Sequence, residues 1–251
     1  MTARDAGPVR GLDDGEAHLW WVCPDEVEPT QLERGRRLLT AAELDRVSRF
    51  RRASDRRSCL VTRILLRTTL SRYVEVAPER WRFRANAYGR PEIDSPACPL
   101  RFNLSHTEGL IVCLVSRERD VGVDVEATTR PHRGLEVAER YFSPREAAAL
   151  RATGASVQPE RFLQFWTLKE SYIKARGLGL AIPLAAFTFE LDQRPGSPIR
   201  LHTEPSLDDD PARWQFTLER LGAGHLGATA IEGRGGPEVA IVRRQATEIV
   251  S

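Results

Sequence analysis

Two kinds of spacing between apolar residues divide this chain into short elements. Alternation of apolar and polar residues over four to eight positions, or a short apolar run, is typical of β-strands. Apolar residues spaced three or four apart over a longer stretch are typical of a helix that packs on one face. The first pattern predicts strands over residues 18–23, 81–85, 102–104, 110–115, 121–126, 187–191, 214–218, 227–231 and 239–242.

The second pattern predicts two long helices, over residues 54–73 and 159–176, and Gly177 should end the later one. Two shorter helices should start at residues 41 and 144, each after a capping box, in which a hydroxyl and a carboxylate satisfy the free amides of the first turn. These boxes are Thr40 with Glu43 and Ser143 with Glu146. Because helices and neighbouring strands are mixed twice over without regular βαβ alternation, we predict an α+β fold in two comparable halves.

The composition fits a globular protein with an ample core, since 41% of the 251 residues are hydrophobic. The longest apolar runs, such as residues 110–115, are much shorter than the roughly 18 residues of a membrane span, and the first residues lack the apolar segment of a secretion signal. Four scattered cysteines have no metal-ligand spacing, and a net charge of +2 does not indicate a nucleic-acid partner. We therefore expect a cytoplasmic protein with reduced thiols and with neither a membrane nor a nucleic-acid partner.

Lysine is confined to one short segment of the chain. Of the 37 Lys and Arg residues only Lys169 and Lys174 are Lys, and they flank Glu170. Lys carries a compact point charge that the planar fork of Arg does not reproduce, so this segment should need ammonium geometry. Lys169 lies about 100° around the helix from Glu170. We expect Lys169 to touch an outer phosphate or solvent, and replacement of Lys169 by Arg to be gentler than the same change at Lys174.

Two carboxylates share one face of the predicted strand 121–126. Alternation places Gly122, Asp124 and Glu126 on one face and three valines on the other. Neighbouring carboxylates repel each other unless a cation joins them, and hard oxygen ligands suit Mg²⁺. The alternative is that this is the solvated outer face of an edge strand.

Three side chains form a column on the predicted helix 159–176. Trp166, Glu170 and Lys174 are successive i, i+4 neighbours. In one interpretation Glu170 and Lys174 form an ordinary surface salt bridge. In the other, Glu170 is a third Mg²⁺ ligand and Lys174 meets a phosphate oxygen as a point charge.

Ser105 and His106 follow a predicted strand, and we place them at the tip of a loop. They could cap a turn, bind phosphate, or act as nucleophile and base, although the absence of a G-x-S-x-G elbow disfavours a serine hydrolase. A basic run lies upstream, typical of a solvated helical face but also suited to a substrate with several phosphates. It consists of Arg46, Arg49, Arg51, Arg52, Arg56, Arg57 and Arg63.

Together, three segments resemble the 4'-phosphopantetheinyl transferases, and among these the surfactin-type branch. The segments are Phe102 to His106 (FNLSH), Gly122 to Glu126 (GVDVE) and Trp166 to Lys174 (WTLKESYIK), in the order and at the spacing of that family. The resemblance extends from about residue 41 to residue 191. It implies a pseudo-twofold pair of similar subdomains, each with helices packed on an antiparallel sheet, and an active site in the cleft between them. We set the two halves at residues 17–118 and 119–246.

The resemblance also implies roles for individual residues. It makes Asp124, Glu126 and Glu170 the Mg²⁺ ligands, and it makes Glu170, directly or through a water, the candidate base. Lys174 would face the pyrophosphate of coenzyme A and stabilise the leaving phosphate. The other contacts to coenzyme A phosphates would come from Arg46, Arg63, Arg90, Ser105 and His106, where the family often has Lys at positions 46 and 90. Whether Arg56 or Arg57 also contributes stays open.

The implied activity is Mg²⁺-dependent transfer of 4'-phosphopantetheine from coenzyme A to a serine of an apo acyl or peptidyl carrier protein, with release of adenosine 3',5'-bisphosphate. The first half would supply contacts to coenzyme A and the second half the metal ligands. We expect a monomer whose partners are coenzyme A and the carrier protein. Two rivals remain: a non-catalytic nucleotide or nucleic-acid binding module, favoured by the Arg residues alone, and a Mg²⁺-dependent phosphohydrolase that uses water as nucleophile.

Overall fold

The computed structural model describes residues 9–129, 134–192 and 197–250. The helices are α1 (Pro29–Arg36), α2 (Ala41–Ser48), α3 (Ala53–Ser71), α4 (Gly134–Tyr141), α5 (Pro144–Ala152) and α6 (Gln158–Arg176). The strands are β1 (Glu16–Val22), β2 (Arg82–Ala85), β3 (Pro91–Ser95), β4 (Leu100–Thr107), β5 (Leu110–Arg117), β6 (Val121–Ala127), β7 (Phe187–Glu190), β8 (Arg200–Thr203), β9 (Trp214–Leu221), β10 (His225–Glu232) and β11 (Ala240–Gln245). The predicted α+β class is confirmed.

The chain divides into two compact units. Unit 1 contains the residues up to 86, residues 91–120 and the residues from 239 onward, and unit 2 contains residues 87–90 and 121–238. Each unit has one helix of 19 residues, α3 in unit 1 and α6 in unit 2. Our division at residues 118 and 119 differs from these units at three places, because the turn 87–90 belongs to unit 2 while residues 119–120 and β11 belong to unit 1.

The sheet of unit 1 explains the placement of β11. The strand order is β11-β1-β5-β4, and β5 pairs antiparallel with both of its neighbours. β11 pairs in parallel with β1, so the sheet is mixed and not purely antiparallel as expected. α3 contributes Leu60, Ile64 and Leu65 to the same hydrophobic core as the buried side chains of β1 and β5, and the predicted apolar spacing of that helix is thereby confirmed.

In unit 2, α6 shares a core with the middle strand of a three-stranded sheet. The order is β6-β10-β9, antiparallel throughout. Leu226, Ala228 and Ala230 of β10 join the buried residues of α6 in one cluster. Ala228 is paired with Asp124 of β6, so the carboxylate face of β6 continues the sheet face that packs on α6.

Local signals for helix ends are confirmed. Thr40 and Ser143 each accept a hydrogen bond from the backbone of a Glu three residues later, whose side chain returns the contact. Gly177 ends α6 in the left-handed region at φ 65°. The spacing of apolar residues did not predict the short elements α1, α4, β3 and β8. No helix within the described residues is long and apolar enough to cross a membrane.

Candidate active site

The two carboxylates of β6 lie against α6. Asp124 is only 5% exposed, although β6 is an edge strand of its sheet. The backbone of α6 lies next to Gly122 on the same face of the strand. The interpretation of this face as solvated is therefore wrong, because a helix covers it.

Lys174 joins α6 to the strand. Its Nζ lies 2.6 Å from Asp124 Oδ1 in an ion pair and donates to the Val123 carbonyl oxygen at 3.2 Å. The Lys174 side chain is 28% exposed and that of Asp124 is 7% exposed. Partial burial makes this pair stronger than a surface salt bridge. Lys174 thus pairs across to β6, in place of the surface bridge to Glu170 that was the simplest interpretation of the column.

The charges of Asp124, Glu126 and Lys174 all act on the carboxyl group of Glu170. Burial raises the pKa of its carboxyl group, and the negative charge of Asp124 and that of Glu126 act in the same direction. The ammonium of Lys174 opposes them and lowers the pKa. The structure therefore brings Asp124, Glu126, Glu170 and Lys174 into one electrostatic group.

Trp166 contacts the last carboxylate of the strand. Its indole Nε1 donates to Glu126 Oε1 at 3.2 Å, and its ring stacks on Phe142 and Phe162. The rings fix the indole, and the indole in turn orients the carboxylate. The i, i+4 column signalled that Trp166 shares a face with Glu170, but the hydrogen bond to Glu126 could not be read from the sequence.

The donor types fit Mg²⁺, which prefers hard oxygen ligands and commonly uses carboxylates. Asp124, Glu126 and Glu170 supply such oxygens close enough for their charges to interact. Within the described part of the chain, however, no group of three or more His, Cys, Asp or Glu side chains has an arrangement that could hold a metal ion. The donor chemistry of the three carboxylates suits the ion.

Arg90 lies at the C-terminal end of α6. Its Nη1 donates to the Ala175 carbonyl oxygen at 2.8 Å. A Cβ at Gly177 would lie 2.6 Å from Arg90 Cζ, so the missing side chain makes room for the guanidinium. A cation at this end of a helix is favoured by the helix dipole. The structure thus places Arg90 in unit 2, in contact with the last turn of the helix that carries Glu170 and Lys174.

Arg46 and Arg63 both act on Cys59 in unit 1. Burial raises the pKa of the Cys59 thiol, and the charges of Arg63 and Arg46 both act against that rise. The two guanidinium groups, one on α2 and one on α3, therefore lie near the same thiol. The negative charge of Glu43 acts on the same thiol and raises its pKa.

Ser105 and His106 lie within β4 and not at a loop tip. Ser105 is paired with Val112, and His106 with Ile111, in a hairpin whose turn includes Gly109 at φ 79°. Ser105 is buried and His106 is exposed, because neighbouring strand residues point to opposite faces. The predicted loop is wrong, since pairing with the apolar strand β5 carries these polar residues into the sheet.

Two descriptions of known protein families match most of the chain. Residues 120–230 match the family described as the 4'-phosphopantetheinyl transferase superfamily, and residues 26–119 match the N-terminal region described for a 4'-phosphopantetheinyl transferase. The 4'-phosphopantetheinyl transferase HetI of Nostoc sp. (strain PCC 7120) is 35% identical over 202 residues, which cover 79% of this chain and 83% of the relative. The chain belongs to the 4'-phosphopantetheinyl transferase family.

Two further relatives support the assignment. A phosphopantetheinyl transferase of Thraustochytrium sp. is 31% identical over 248 residues, covering 90% of this chain and 82% of the relative. The 4'-phosphopantetheinyl transferase Sfp of Bacillus subtilis (strain 168) is 33% identical over 162 residues, covering 64% of this chain and 70% of the relative. The resemblance to the surfactin-type branch is confirmed. The chain is an enzyme that transfers phosphopantetheine from coenzyme A to carrier proteins.

Lys169 of this transferase does not touch solvent. Its side chain and that of Glu146 are both 0% exposed, and Lys169 Nζ lies 2.7 Å from Glu146 Oε2. The ammonium also donates to the carbonyl oxygens of Leu184 and Phe187, each at 2.7 Å. Burial lowers the pKa of Lys169 to about 8, against the opposing charge of Glu146. Our expectation of a phosphate or solvent contact is wrong, because α5, Leu184 and the start of β7 cover this face of α6.

Arg56 and Arg57 of the transferase both bind backbone carbonyl oxygens. Arg56 donates to the carbonyls of residues 50 and 51. Arg57 donates to Pro24 at 2.7 Å and to Val27 at 2.5 Å. Both side chains thus help to hold loops of unit 1.

Proposed function

We propose that this transferase requires Mg²⁺, that it acts on a serine hydroxyl of an apo acyl or peptidyl carrier protein, and that it releases adenosine 3',5'-bisphosphate. The main support is the convergence of three carboxylates and one ammonium where β6 meets α6. Three negative charges against one positive charge leave an excess that a divalent cation would neutralise. A non-catalytic binding module would have no need for this partly buried excess of negative charge.

Asp124, Glu126 and Glu170 are the residues that would hold the Mg²⁺. When bound, the ion would neutralise charge on the pyrophosphate oxygens of coenzyme A, which lowers the repulsion met by an incoming oxygen nucleophile. Trp166 would keep one of the three carboxylates in place through its hydrogen bond to Glu126.

The protein itself would position the reactants and accept a proton. In the proposed reaction the serine oxygen forms a bond to the β-phosphorus of coenzyme A, and the bond from that phosphorus to the departing adenosine 3',5'-bisphosphate breaks. Glu170, directly or through a water, would take the serine proton. Lys174 would place its charge near the leaving phosphate. Asp124 fixes the Lys174 ammonium through the 2.6 Å ion pair.

The phosphates of coenzyme A would be bound by the Arg residues and His106. The charges of Arg46 and Arg63 both act on Cys59 in unit 1. His106 is exposed on β4, which suits contact with a charged ligand. Arg90 has its guanidinium at the end of α6. Ser105 fits this role least, because its side chain is buried.

We further propose that the enzyme is a cytoplasmic monomer. All four cysteines are free thiols, as expected in a reducing compartment. The carrier protein would be the macromolecular partner, and fatty acid, polyketide and nonribosomal peptide carriers are the three classes to compare.

Intact-protein mass spectrometry tests the proposed reaction. One apo carrier of each class is incubated with the transferase, coenzyme A and Mg²⁺. We expect the carrier to gain one phosphopantetheine group while adenosine 3',5'-bisphosphate appears in equal amount, and we expect a carrier with its acceptor serine replaced by Ala to gain nothing. Transfer that continues undiminished in excess EDTA, or release of phosphopantetheine to water, would contradict the proposal and favour the hydrolase.

Replacing Lys174 by Arg should lower the transfer rate roughly 10- to 100-fold at saturating coenzyme A and carrier. A planar guanidinium on a longer reach keeps the charge but cannot place it where the Lys174 ammonium lies, 2.6 Å from Asp124. We expect the fold and most of the coenzyme A affinity to be retained, as measured by thermal unfolding and isothermal titration. A Lys174→Arg enzyme that transfers at the parent rate would remove Lys174 from the reaction.

A further inference from the structure

Gly122 is the point where strand β6 comes closest to helix α6. A Cβ built at this position would overlap the Ser171 carbonyl oxygen, and it would lie 2.5 Å from the Ala175 amide nitrogen and 3.0 Å from the Ser171 carbonyl carbon. All three atoms belong to the backbone of the helix and cannot rotate away. The constraint on this residue is space, because its backbone angle is not in the left-handed region.

The strand and the helix remain in contact over matching lengths. From Gly122 to Glu126 the strand rises about 13 Å, at roughly 3.3 Å per residue. From Ala175 back to Trp166 the helix spans about 13.5 Å, at 1.5 Å per residue. Three contacts follow one another from the start of the strand towards its end. Gly122 lies next to Ala175, Asp124 pairs with Lys174, and Glu126 accepts a hydrogen bond from Trp166. The strand therefore runs antiparallel to the helix beside it.

The carboxylates depend on this close approach to different degrees. Asp124 lies two residues from Gly122 and has a short side chain, so it reaches the Lys174 ammonium only while β6 stays near α6. Glu126 is farther from Gly122, has one more methylene group and is held by Trp166. A side chain at residue 122 would push the start of the strand away from α6, and it would therefore move Asp124 more than Glu126.

We infer that Gly122 is a positioning residue, whose missing side chain sets the distance between β6 and α6 and thereby holds Asp124 within reach of Glu170 and Lys174. The inference rests on the proposed function, in which these carboxylates bind Mg²⁺. Gly122 itself touches no reactant. Its contribution is the narrow gap that lets a short carboxylate join a ligand set supplied by two different elements.

Manganese binding measured without turnover tests this inference. Mn²⁺ is a paramagnetic probe for hard oxygen sites, and electron paramagnetic resonance counts the free ion in a titration. We expect Gly122→Ala to weaken Mn²⁺ binding about tenfold or more, the size typical of lost support behind a metal ligand. Circular dichroism should show a folded protein, since only the start of the strand has to shift.

Gly227 of β10 provides a matched control in the same sheet. A Cβ there would lie 2.7 Å from Leu221 Cδ1, which is the end of a flexible side chain. The backbone atom that it would approach is the Asp124 carbonyl oxygen, at an ordinary contact distance of 3.6 Å. Both replacements add one methyl group to a glycine of the same sheet. We therefore expect Gly227→Ala to bind Mn²⁺ within about threefold of the parent protein.

A longer carboxylate at residue 124 separates positioning from simple damage. In the parent protein Asp124→Glu should weaken Mn²⁺ binding, because an extra methylene crowds the narrow gap. In the Gly122→Ala background the same change should strengthen binding, because the longer side chain spans the widened gap. A purely structural role for Gly122 would make the two effects additive, so the opposite signs are the signature of positioning.

The outcomes distinguish this inference from the proposed function. If the parent protein shows no Mn²⁺ site that depends on Asp124, the proposed metal site fails. If the parent site exists and Gly122→Ala binds equally well, or if Asp124→Glu weakens binding equally in both backgrounds, only the role of Gly122 is overturned. A Gly122→Ala chain that does not fold also overturns it, because the inference requires a local shift.

Discussion

Glu170→Gln should reduce the transfer of phosphopantetheine about 1000-fold without unfolding the protein. General base catalysis alone contributes roughly 10²- to 10⁴-fold, and the change also removes one charged oxygen from the proposed ligand set. Gln keeps the shape of Glu, so packing is preserved. The thermal midpoint should not fall, because burial and the charges of Asp124 and Glu126 already disfavour the ionised form of Glu170. The rate is measured as conversion of apo carrier by mass spectrometry.

Glu160 supplies the matched control on the same helix. It lies near the start of α6, where its exposed carboxylate pairs with Arg220 at 2.5 Å, a surface contact of small energetic value. Glu160→Gln should therefore transfer at the parent rate. If Glu170→Gln also stays within about threefold of the parent, Glu170 is neither a base nor an essential ligand.

The candidate site could be predicted because its parts follow local periodicities. Alternation along β6 placed Asp124 and Glu126 on one face, and i, i+4 spacing aligned Trp166, Glu170 and Lys174. Both rules depend only on the geometry of a single element. The structure shows that the two faces meet, and the matches to the transferase family cover both segments.

What covers each face could not be predicted, since that depends on pairing over long distances in the sequence. β11 pairs with β1, which lies more than two hundred residues earlier in the chain. The residues of the predicted strand 239–242 do not indicate which strand they will pair with. Ser105 and His106 resemble loop residues by composition, but pairing of β4 with β5 outweighs that preference. The burial of Lys169 could not be predicted for the same reason. The position of Lys169 around its own helix does not indicate that Glu146 of α5 will pair with it.

The buried ammonium of Lys169 should contribute strongly to the stability of the fold. Lys169→Met should lower the free energy of unfolding by about 3–5 kcal/mol, because it leaves the Glu146 carboxylate buried without its cation. For a chain of this size that is a fall of about 10 °C in the thermal midpoint. Lys169→Arg should also destabilise the fold, by about 1–3 kcal/mol. The guanidinium of Arg is larger than the ammonium of Lys, and it would have to fit into a fully buried space beside the rings of Phe142 and Phe187. Differential scanning calorimetry measures both changes.

The two lysines should therefore give opposite patterns under the same substitution. Lys169→Arg is expected to lower the thermal midpoint while the folded enzyme, assayed well below that midpoint, still transfers at the parent rate. Lys174→Arg is expected to leave the midpoint unchanged and to lower the rate. If Lys169→Arg impairs transfer without loss of stability, the buried pair has a role in the reaction that its position does not indicate.

Replacing both Lys169 and Glu146 tests whether the loss of stability in Lys169→Met comes from the broken ion pair. Glu146 Oε2 also accepts from the amide and hydroxyl of Ser143, and Oε1 accepts from the Phe189 amide, so Glu146→Gln keeps some of its hydrogen bonds. In the double variant Lys169→Met/Glu146→Gln no isolated charge is buried, and we expect it to regain at least half of the stability that Lys169→Met loses. A double variant whose losses simply add would mean that the two side chains stabilise the fold through packing and hydrogen bonds, independently of their charges.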